Sequence, residues 1–195
     1  MAIMNWFEKK LVNSSLFDVW RRWSMQRVLK HVKEIKGPVL EVGCGKGTTT
    51  IELAKKLPHN KIFAMDYDPE QVALGRKRIA EHPEFARRVT ITLGDATNLD
   101  FTNNSFAAVF SFLTHHHIKN WKKVLHEEFR VLRPGGHLYL DDLALKPWPR
   151  LRHWFIPAEG VFTVEEFMRE LEHVGFMIFE VHGRWKFWLH CQKPK

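Results

Sequence analysis

The stretch Glu41-Val42-Gly43-Cys44-Gly45-Lys46-Gly47 decides the fold of this chain of 195 residues. Its first two residues are the end of the short run 39–42, which is typical of a buried strand. The stretch is followed by Thr48–Lys56, which has a helical pattern. Glycines at alternate positions let the backbone turn tightly and let a ligand approach without an intervening Cβ. The glycine-rich loop alone is a weak signal, because a plain strand-to-helix turn has the same composition.

Strands and helices alternate after this loop. The strands are predicted at Val39–Val42, Lys61–Met65, Val89–Leu93, Ser105–Phe112, His137–Asp141, Phe176–His182 and Lys186–Gln192. The helices are predicted at residues 3–35, Thr48–Lys56, Pro69–Glu81, Lys119–Leu132 and Thr163–His173. This alternation indicates an α/β fold, a doubly wound and mostly parallel sheet with helices on both faces. The short Gly183-Arg184 connection predicts an antiparallel hairpin for the last two strands.

Acidic residues stand at the ends of the next two strands. Asp66 follows Gly43 by 23 residues, and Gly94-Asp95-Ala96 follows the third strand. In such sheets, ligands bind beyond the carboxyl ends of the strands, where the strand order reverses. Asp66 can accept hydrogen bonds from ribose hydroxyls, and Asp95 can accept one from an adenine amine. Together with the loop, these carboxylates predict a pocket for an adenosine-containing ligand.

Two later motifs complete a recognisable pattern: Ser111–Ile118, with its run of histidines, and Arg130–Gly136 before the fifth strand. The chain resembles the class I S-adenosylmethionine-dependent methyltransferases, of the small-molecule type that includes ubiquinone and menaquinone methyltransferases. The resemblance covers roughly residues 37–193. It implies a seven-stranded sheet in the order 3-2-1-4-5-7-6, with strand 7 antiparallel. It also implies S-adenosyl-L-methionine as the cofactor and S-adenosyl-L-homocysteine as the product.

The resemblance also assigns roles to single residues. The methionine part of the cofactor is expected on the acidic residue and glycines of the loop, the ribose on Asp66, and the adenine on the residues after the second and third strands. Ser111 is expected where the fourth strand opens towards the transferred methyl group. The predicted cofactor site is Glu41, Gly43, Gly45, Gly47, Asp66, Tyr67, Asp95, Ala96 and Ser111. Glutamate instead of aspartate at position 41 is a common variant.

The run His115-His116-His117 is the predicted place for a general base, which is needed only if the acceptor must lose a proton early. Relatives usually carry a His-His pair matching His116 and His117, with at least one ring packed under the next helix. His115 stands at a position that is usually apolar, so we expect it to face the acceptor. The competing interpretation for all three is structural packing.

We expect no metal site, because adjacent histidines rarely converge on one ion and no nearby carboxylate follows the fourth strand. Asp141-Asp142 is interpreted as a strand end or a pocket wall.

The chain carries a formal net charge of +8, concentrated at its ends and in one loop. Residues 1–36 hold eight basic and three acidic side chains, and 183–195 hold four basic and none acidic. Seven of the eight tryptophans lie in or beside the basic segments. Aromatic and basic side chains together suit an anionic membrane interface. They also suit stacking and phosphate contacts on RNA, or simply aromatics packed on the sheet beneath a solvated basic face.

We therefore expect residues 1–36 to form a helical lid segment and 37–195 the cofactor-binding methyltransferase domain, with 143–162 as a lid loop. The leading hypothesis is an enzyme that methylates a small apolar or amphipathic acceptor, quinol-like or lipid-like. An RNA methyltransferase and a non-catalytic cofactor-binding domain docked on a partner are the alternatives. Two cysteines and the absence of a recognisable secretory signal or spanning segment favour a cytoplasmic protein. The basic, tryptophan-rich segments favour peripheral contact with a membrane surface.

Overall fold

The computed structural model of the chain describes residues 6–144 and 159–195. Its middle layer is one seven-stranded sheet. The strands are β1 Val39–Val42, β2 Ile62–Asp66, β3 Val89–Leu93, β4 Phe106–Phe112, β5 Leu132–Leu143, β6 Met177–His182 and β7 Lys186–Gln192. They lie in the order β3-β2-β1-β4-β5-β7-β6, and β7 runs antiparallel to both β5 and β6. The predicted fold, strand order and terminal hairpin are confirmed.

Helices connect the strands and cover both faces of the sheet. They are α1 Trp6–Val12, α2 Ser15–Leu29, α3 Thr48–Lys56, α4 Pro69–Ala80, α5 Pro83–Ala86, α6 Trp121–Val131 and α7 Val164–Val174, with a 3-10 turn at His115–His117. Two apolar clusters form the core: one packs α6 and α7 against the sheet, and the other packs α2, α3 and α4 against it. Every residue of β1 and β4 is buried, as expected for central parallel strands covered on both faces.

The N-terminal helical segment differs from its prediction. It is divided at Ser14, whose hydroxyl accepts a hydrogen bond from the Phe17 N–H and caps α2. The helix ends at Leu29, so the expected helix over residues 30–35 is wrong. The apolar spacing over residues 30–35 reflects burial and not a helix, because Val32 and Ile35 lie in the core. At the end of this stretch, the Ile35 carbonyl accepts a hydrogen bond from the Asn60 side-chain amide at 2.8 Å.

The lid segment expected over residues 1–36 contains α1 and α2, and its first five residues lie outside the described part of the chain. Most of the expected lid loop, residues 145–158, also lies outside it. Within the described ranges, no helix has the length and apolar character needed to cross a bilayer.

Candidate active site

The glycine-rich loop runs from the end of β1 to the start of α3. Gly43 has a φ of +74°, and a Cβ on it would overlap the Thr114 hydroxyl after β4. Glycine is therefore required for the close packing of these two strand ends. Gly45 also has a left-handed backbone, with a φ of +53°. Among the described residues, a Cβ there would meet two atoms within 4 Å, Arg21 Nη1 at 3.5 Å and Gln71 Oε1 at 3.8 Å.

Glu41 lies beneath the loop. Its carboxylate is fully buried and accepts hydrogen bonds from the hydroxyls of Thr49 and, at 2.5 Å, of Thr50, both in the first turn of α3. Burial raises the pKa of Glu41 against the effect of these two donors. The carboxylate thus joins β1 to α3 and supports the loop from below. This position argues against the predicted direct contact between Glu41 and the methionine part of the cofactor.

Asp66 ends β2 beside the loop. Its carboxylate accepts hydrogen bonds from the Gly45 N–H at 2.8 Å and from the Asp68 N–H at 2.9 Å. Burial raises the pKa of Asp66, and these two backbone donors oppose that rise. A carboxylate has about four lone-pair sites, so both oxygens can still accept from ribose hydroxyls. Asp66 therefore sets the conformation of Gly45 and is available for its predicted contact.

The residues predicted for the adenine lie at the tips of β2 and β3. Tyr67 exposes 38 % of its surface, so its ring is accessible. Asp95 accepts through Oδ1 from the N–H and the hydroxyl of Thr97, at 2.8 and 2.9 Å, which holds the carboxylate in one orientation. Ala96 is fully buried, and this burial gives no support to its predicted contact with the adenine.

The histidine run forms a turn directly after β4. His115 is fully buried, with Nε2 at 3.2 Å from Glu128 Oε2 on α6 and Nδ1 at 3.4 Å from Asp142 Oδ2. Burial alone would lower the pKa of His115, but the two carboxylates outweigh burial and raise it to about 9. Both ring nitrogens of His115 thus face carboxylates, which gives no support to the expectation that this residue faces the acceptor. Ser111, also fully buried, directs its hydroxyl to His115 Nδ1 at 3.4 Å, which gives its predicted cofactor contact no support.

Asp142, near the end of β5, organises this turn. Its Oδ2 accepts from the N–H groups of Thr114 at 3.2 Å and His115 at 2.7 Å, and its Oδ1 from His116 Nδ1 at 2.5 Å. Burial disfavours its charge, but His116 and His115 hold the pKa of Asp142 well below its ordinary value. The ring of His117 lies against His116, with centroids 3.9 Å apart. Asp142 is thus more than the strand-end residue that the sequence indicated.

Helix α2 lies over the loop and supplies polar side chains that the sequence did not single out. Asp18 accepts from the Thr48 hydroxyl at 2.7 Å and pairs with Lys46 at 3.1 Å and Arg78 at 3.2 Å. The side chain of Asp18 is 12 % exposed, so this network is largely shielded from water. It joins α2 to the start of α3 and to α4.

Further along the same face, α2 reaches the ends of β4 and β5. Arg21 donates through Nη2 to the carbonyl oxygens of Phe112 at 3.1 Å and Gly43 at 3.5 Å. Ser24 donates at 3.0 Å to Asp141 at the end of β5. Their spacing along α2 places these side chains on one helix face, and that was the only signal for them in the sequence.

The site fits a ligand with a nucleoside at one end and a charged amino acid at the other. Asp66 and Asp95 offer hydrogen-bond acceptors at the strand tips. Gly45 has no side chain to fill the space above its backbone. Two buried groups beside that space, Arg21 Nε and the amide of Gln71, have no hydrogen-bond partner among the described residues. Buried polar groups are normally paired, so these atoms suit a polar ligand.

The sheet order, the reversed β7 and the loop with a carboxylate at the next strand tip define a Rossmann-like cofactor-binding domain of the methyltransferase class. The methyltransferase domain family matches residues 39–136, and the chain belongs to this family. The cofactor that the sequence resemblance implies for this family is S-adenosyl-L-methionine.

Related proteins extend the similarity beyond residue 136. The chain is 30 % identical over 155 residues to a demethylmenaquinone methyltransferase of Symbiobacterium thermophilum, covering 75 % of this chain and 61 % of the relative. It is 36 % identical over 118 residues to the phthiotriol/phenolphthiotriol dimycocerosates methyltransferase of Mycobacterium leprae, covering 60 % and 40 %. The chain therefore spans less than two thirds of the length of these relatives.

Solved structures share the fold. Phosphoethanolamine N-methyltransferase 2 of Haemonchus contortus, solved in complex with S-adenosyl-L-methionine, superposes with a TM-score of 0.76 at 16 % sequence identity. The superposition covers 100 % of this chain and 61 % of that one. At this identity the likeness concerns the fold.

Proposed function

We propose that this chain transfers the methyl group of S-adenosylmethionine to a small apolar or amphipathic acceptor, quinol-like or lipid-like, met at an anionic membrane surface. The observation that carries the proposal is the two-sided character of α2. Its buried face contacts the glycine-rich loop, and its opposite face is apolar and cationic. One helix therefore connects the cofactor site with a surface suited to lipid.

The outer face of α2, defined by Leu16, Val19, Trp23 and Arg27, is strongly exposed. Leu16, Val19 and Trp23 expose 83, 64 and 57 % of their surfaces, and the Arg27 guanidinium lies 4.1 Å from the centroid of the Trp23 ring. Residues at this spacing share one side of a helix. An apolar face that includes tryptophan and arginine suits the boundary between headgroups and acyl chains of an anionic bilayer. The net charge of +8 adds attraction to such a surface.

The relatives support the class of acceptor. One is named for demethylmenaquinone and another for phthiotriol dimycocerosates. An acceptor that dissolves in a membrane would be met where the outer face of α2 touches the lipid.

The segments on either side of the site are proposed to be its lid. The N-terminal segment, residues 1–36, contains α2, which lies over the ends of β1, β4 and β5. The second lid, residues 143–162, returns to the site at Gly160, whose N–H donates to the His116 carbonyl at 3.0 Å. A lid excludes water and holds the two reactants close together, and proximity is a large part of the rate enhancement in such reactions.

Bound S-adenosylmethionine supplies an activated methyl group, so the chain must chiefly position the acceptor and take up any proton that it loses. His116 is the proposed base among the three predicted histidines. Asp142 accepts from its Nδ1, which orients the ring. His115 is a poor base because its raised pKa of about 9 keeps it protonated at neutral pH.

Transfer of a labelled methyl group tests the proposal. The protein is incubated with methyl-labelled S-adenosylmethionine and separated fractions of membrane lipid, RNA, protein and small metabolites, with Asp66→Ala as the control. We expect label in the lipid or apolar metabolite fraction for the wild type alone. Label in RNA would favour the RNA methyltransferase alternative. Binding of S-adenosylhomocysteine without transfer to any fraction would favour the non-catalytic alternative.

A further inference from the structure

Arg21 of α2 occupies an unusual position for a cation. Only 9 % of the residue is exposed, and its guanidinium lies between the ends of β1 and β4, where Nη2 donates to the carbonyl oxygens of Gly43 and Phe112. Its Nη1 lies 3.5 Å from the point where a Gly45 Cβ would stand. The side chain therefore forms one wall of the open space above Gly45.

The charge of Arg21 has no direct counter-ion among the described residues. Its hydrogen bonds go to neutral carbonyl oxygens, its Nε has no partner, and within the described part of the chain no carboxylate pairs with it. Burial raises the pKa values of Glu41 and Asp66, and the charge of Arg21 opposes that rise. Both carboxylates are already held by other donors. A buried guanidinium without a paired anion is costly, so this place favours an anionic ligand.

Gln71 of α4 gives a second, independent observation at the same place. It is fully buried, and neither its Oε1 nor its Nε2 has a hydrogen-bond partner among the described residues. Its Oε1 lies 3.8 Å from the same point above Gly45 that Arg21 approaches from the other helix. Within the described part of the chain, Arg21 Nε and the Gln71 amide, from separate helices, thus leave unpaired polar atoms beside one glycine.

We propose that Arg21 binds the carboxylate of the methionine end of S-adenosylmethionine, with Gln71 as a second polar contact beside it. The cofactor carries a sulfonium, an ammonium and a carboxylate group, and only the carboxylate is anionic. The planar guanidinium fork matches a carboxylate with two parallel hydrogen bonds. The adenosine end then lies towards Asp66 and Asp95. Because Arg21 belongs to α2, the ion pair also fastens this helix over the bound cofactor.

This inference rests on the cofactor of the family and does not depend on the acceptor proposed above. Its test compares S-adenosylhomocysteine with 5′-methylthioadenosine, which keeps the adenosine and the sulfur but lacks the amino-acid end. Calorimetry on Arg21→Ala should show about a 10- to 100-fold loss of affinity for S-adenosylhomocysteine, the range for a charge-assisted hydrogen bond, and little change for 5′-methylthioadenosine. Arg22→Ala is the matched control, since Arg22 is the next residue along α2 and its side chain is 49 % exposed.

Equal losses for both compounds, or no loss for either, would overturn the assignment and leave Arg21 a packing role. If Arg21→Ala fails to fold, the wild type still decides the matter. It should bind S-adenosylmethionine at least about tenfold more tightly than the decarboxylated cofactor, which lacks only the carboxylate, and equal affinity would overturn the assignment. If the wild type binds none of these compounds, the cofactor assignment itself fails.

Discussion

Asp18 on α2 and Lys46 in the glycine-rich loop form an ion pair, with 3.1 Å between Oδ2 and Nζ. The pair joins two segments that are separated by β1 in the sequence. The carboxylate also holds Thr48 and Arg78, so one side chain connects α2 with α3 and α4. These polar contacts act together with the apolar residues of α2 in the core, Met25, Val28 and Leu29, to hold the helix over the site.

The first prediction concerns this network. Asp18→Ala removes one carboxylate and leaves the largely buried Lys46 without its partner, so we expect a loss of about 3 kcal/mol in the free energy of unfolding. The affinity for S-adenosylhomocysteine should fall as well, because α2 is less firmly docked. Urea denaturation and calorimetry measure the two effects. Asp100→Asn, on an exposed loop residue, should change neither, and a similar response from both variants would refute the role of the network.

The second prediction uses the pH dependence of His115. Its pKa is raised to about 9 in the folded protein, so its charge stabilises the fold fully below the unfolded pKa of about 6.5. This contribution, about 3 kcal/mol, should be lost as the pH rises from 6.5 through 9.

Urea unfolding at a series of pH values checks the second prediction. We expect the loss in the wild type and a clearly flatter profile in His115→Gln. His126→Gln removes a histidine whose side chain is 53 % exposed and serves as the control. Parallel profiles for the wild type and His115→Gln would show that His115 is not the titrating group.

The third prediction concerns Asp66. Asp66→Ala removes the proposed ribose acceptor and the hydrogen bond that orients Gly45, so affinity should fall about tenfold or more for both S-adenosylhomocysteine and 5′-methylthioadenosine. This joint loss contrasts with the selective loss expected for Arg21→Ala. Calorimetry on the folded variant is the measurement, and an unchanged affinity would show that the ribose binds elsewhere.

The fourth prediction concerns the outer face of α2. The protein should float with vesicles of mixed phosphatidylcholine and phosphatidylglycerol at low salt and less at high salt, because part of the attraction is electrostatic. Trp23→Ala should reduce the bound fraction several-fold, since the exposed indole would be lost from the interface.

Leu93→Ser is the matched control for flotation. Leu93 exposes 57 % of its surface, as Trp23 does, but it lies at the far edge of the sheet on β3. This variant should bind vesicles like the wild type. Equal binding by Trp23→Ala, or no flotation of the wild type, would remove the membrane surface from the proposal.

The fifth prediction concerns the proposed base. His116→Gln should lower turnover by about 100-fold or more, the usual contribution of a general base, while the affinity for S-adenosylhomocysteine stays unchanged. Asp142→Asn should lower turnover in the same direction, because it weakens the bond that orients His116. Steady-state kinetics are measured with the acceptor found by the labelling experiment. If His116→Gln retains full turnover, the ring serves only to pack the turn.

The cofactor loop and the order of elements could be predicted from the sequence because their signals are local. Glycines at 43, 45 and 47, an apolar strand before them and a carboxylate after the next strand all lie within a short stretch. The boundaries of β1, α3, β3 and β7 agree with their predictions, because their apolar patterns are also local. The sheet order came from the resemblance, since period-two apolar patterns do not say which strands are neighbours.

The tertiary structure alone decided what the buried polar side chains do. The spacing of α2 residues shows that Asp18, Arg21 and Ser24 share a helix face, but their partners Lys46, Phe112 and Asp141 come from the ends of three different strands or loops. Likewise, the pairing of β4 with β5 brings Asp142 to His115 and His116. This contact raises the pKa of the buried His115 and orients His116, the proposed base. Electrostatic environment depends on distance and burial, and neither is written in the local sequence.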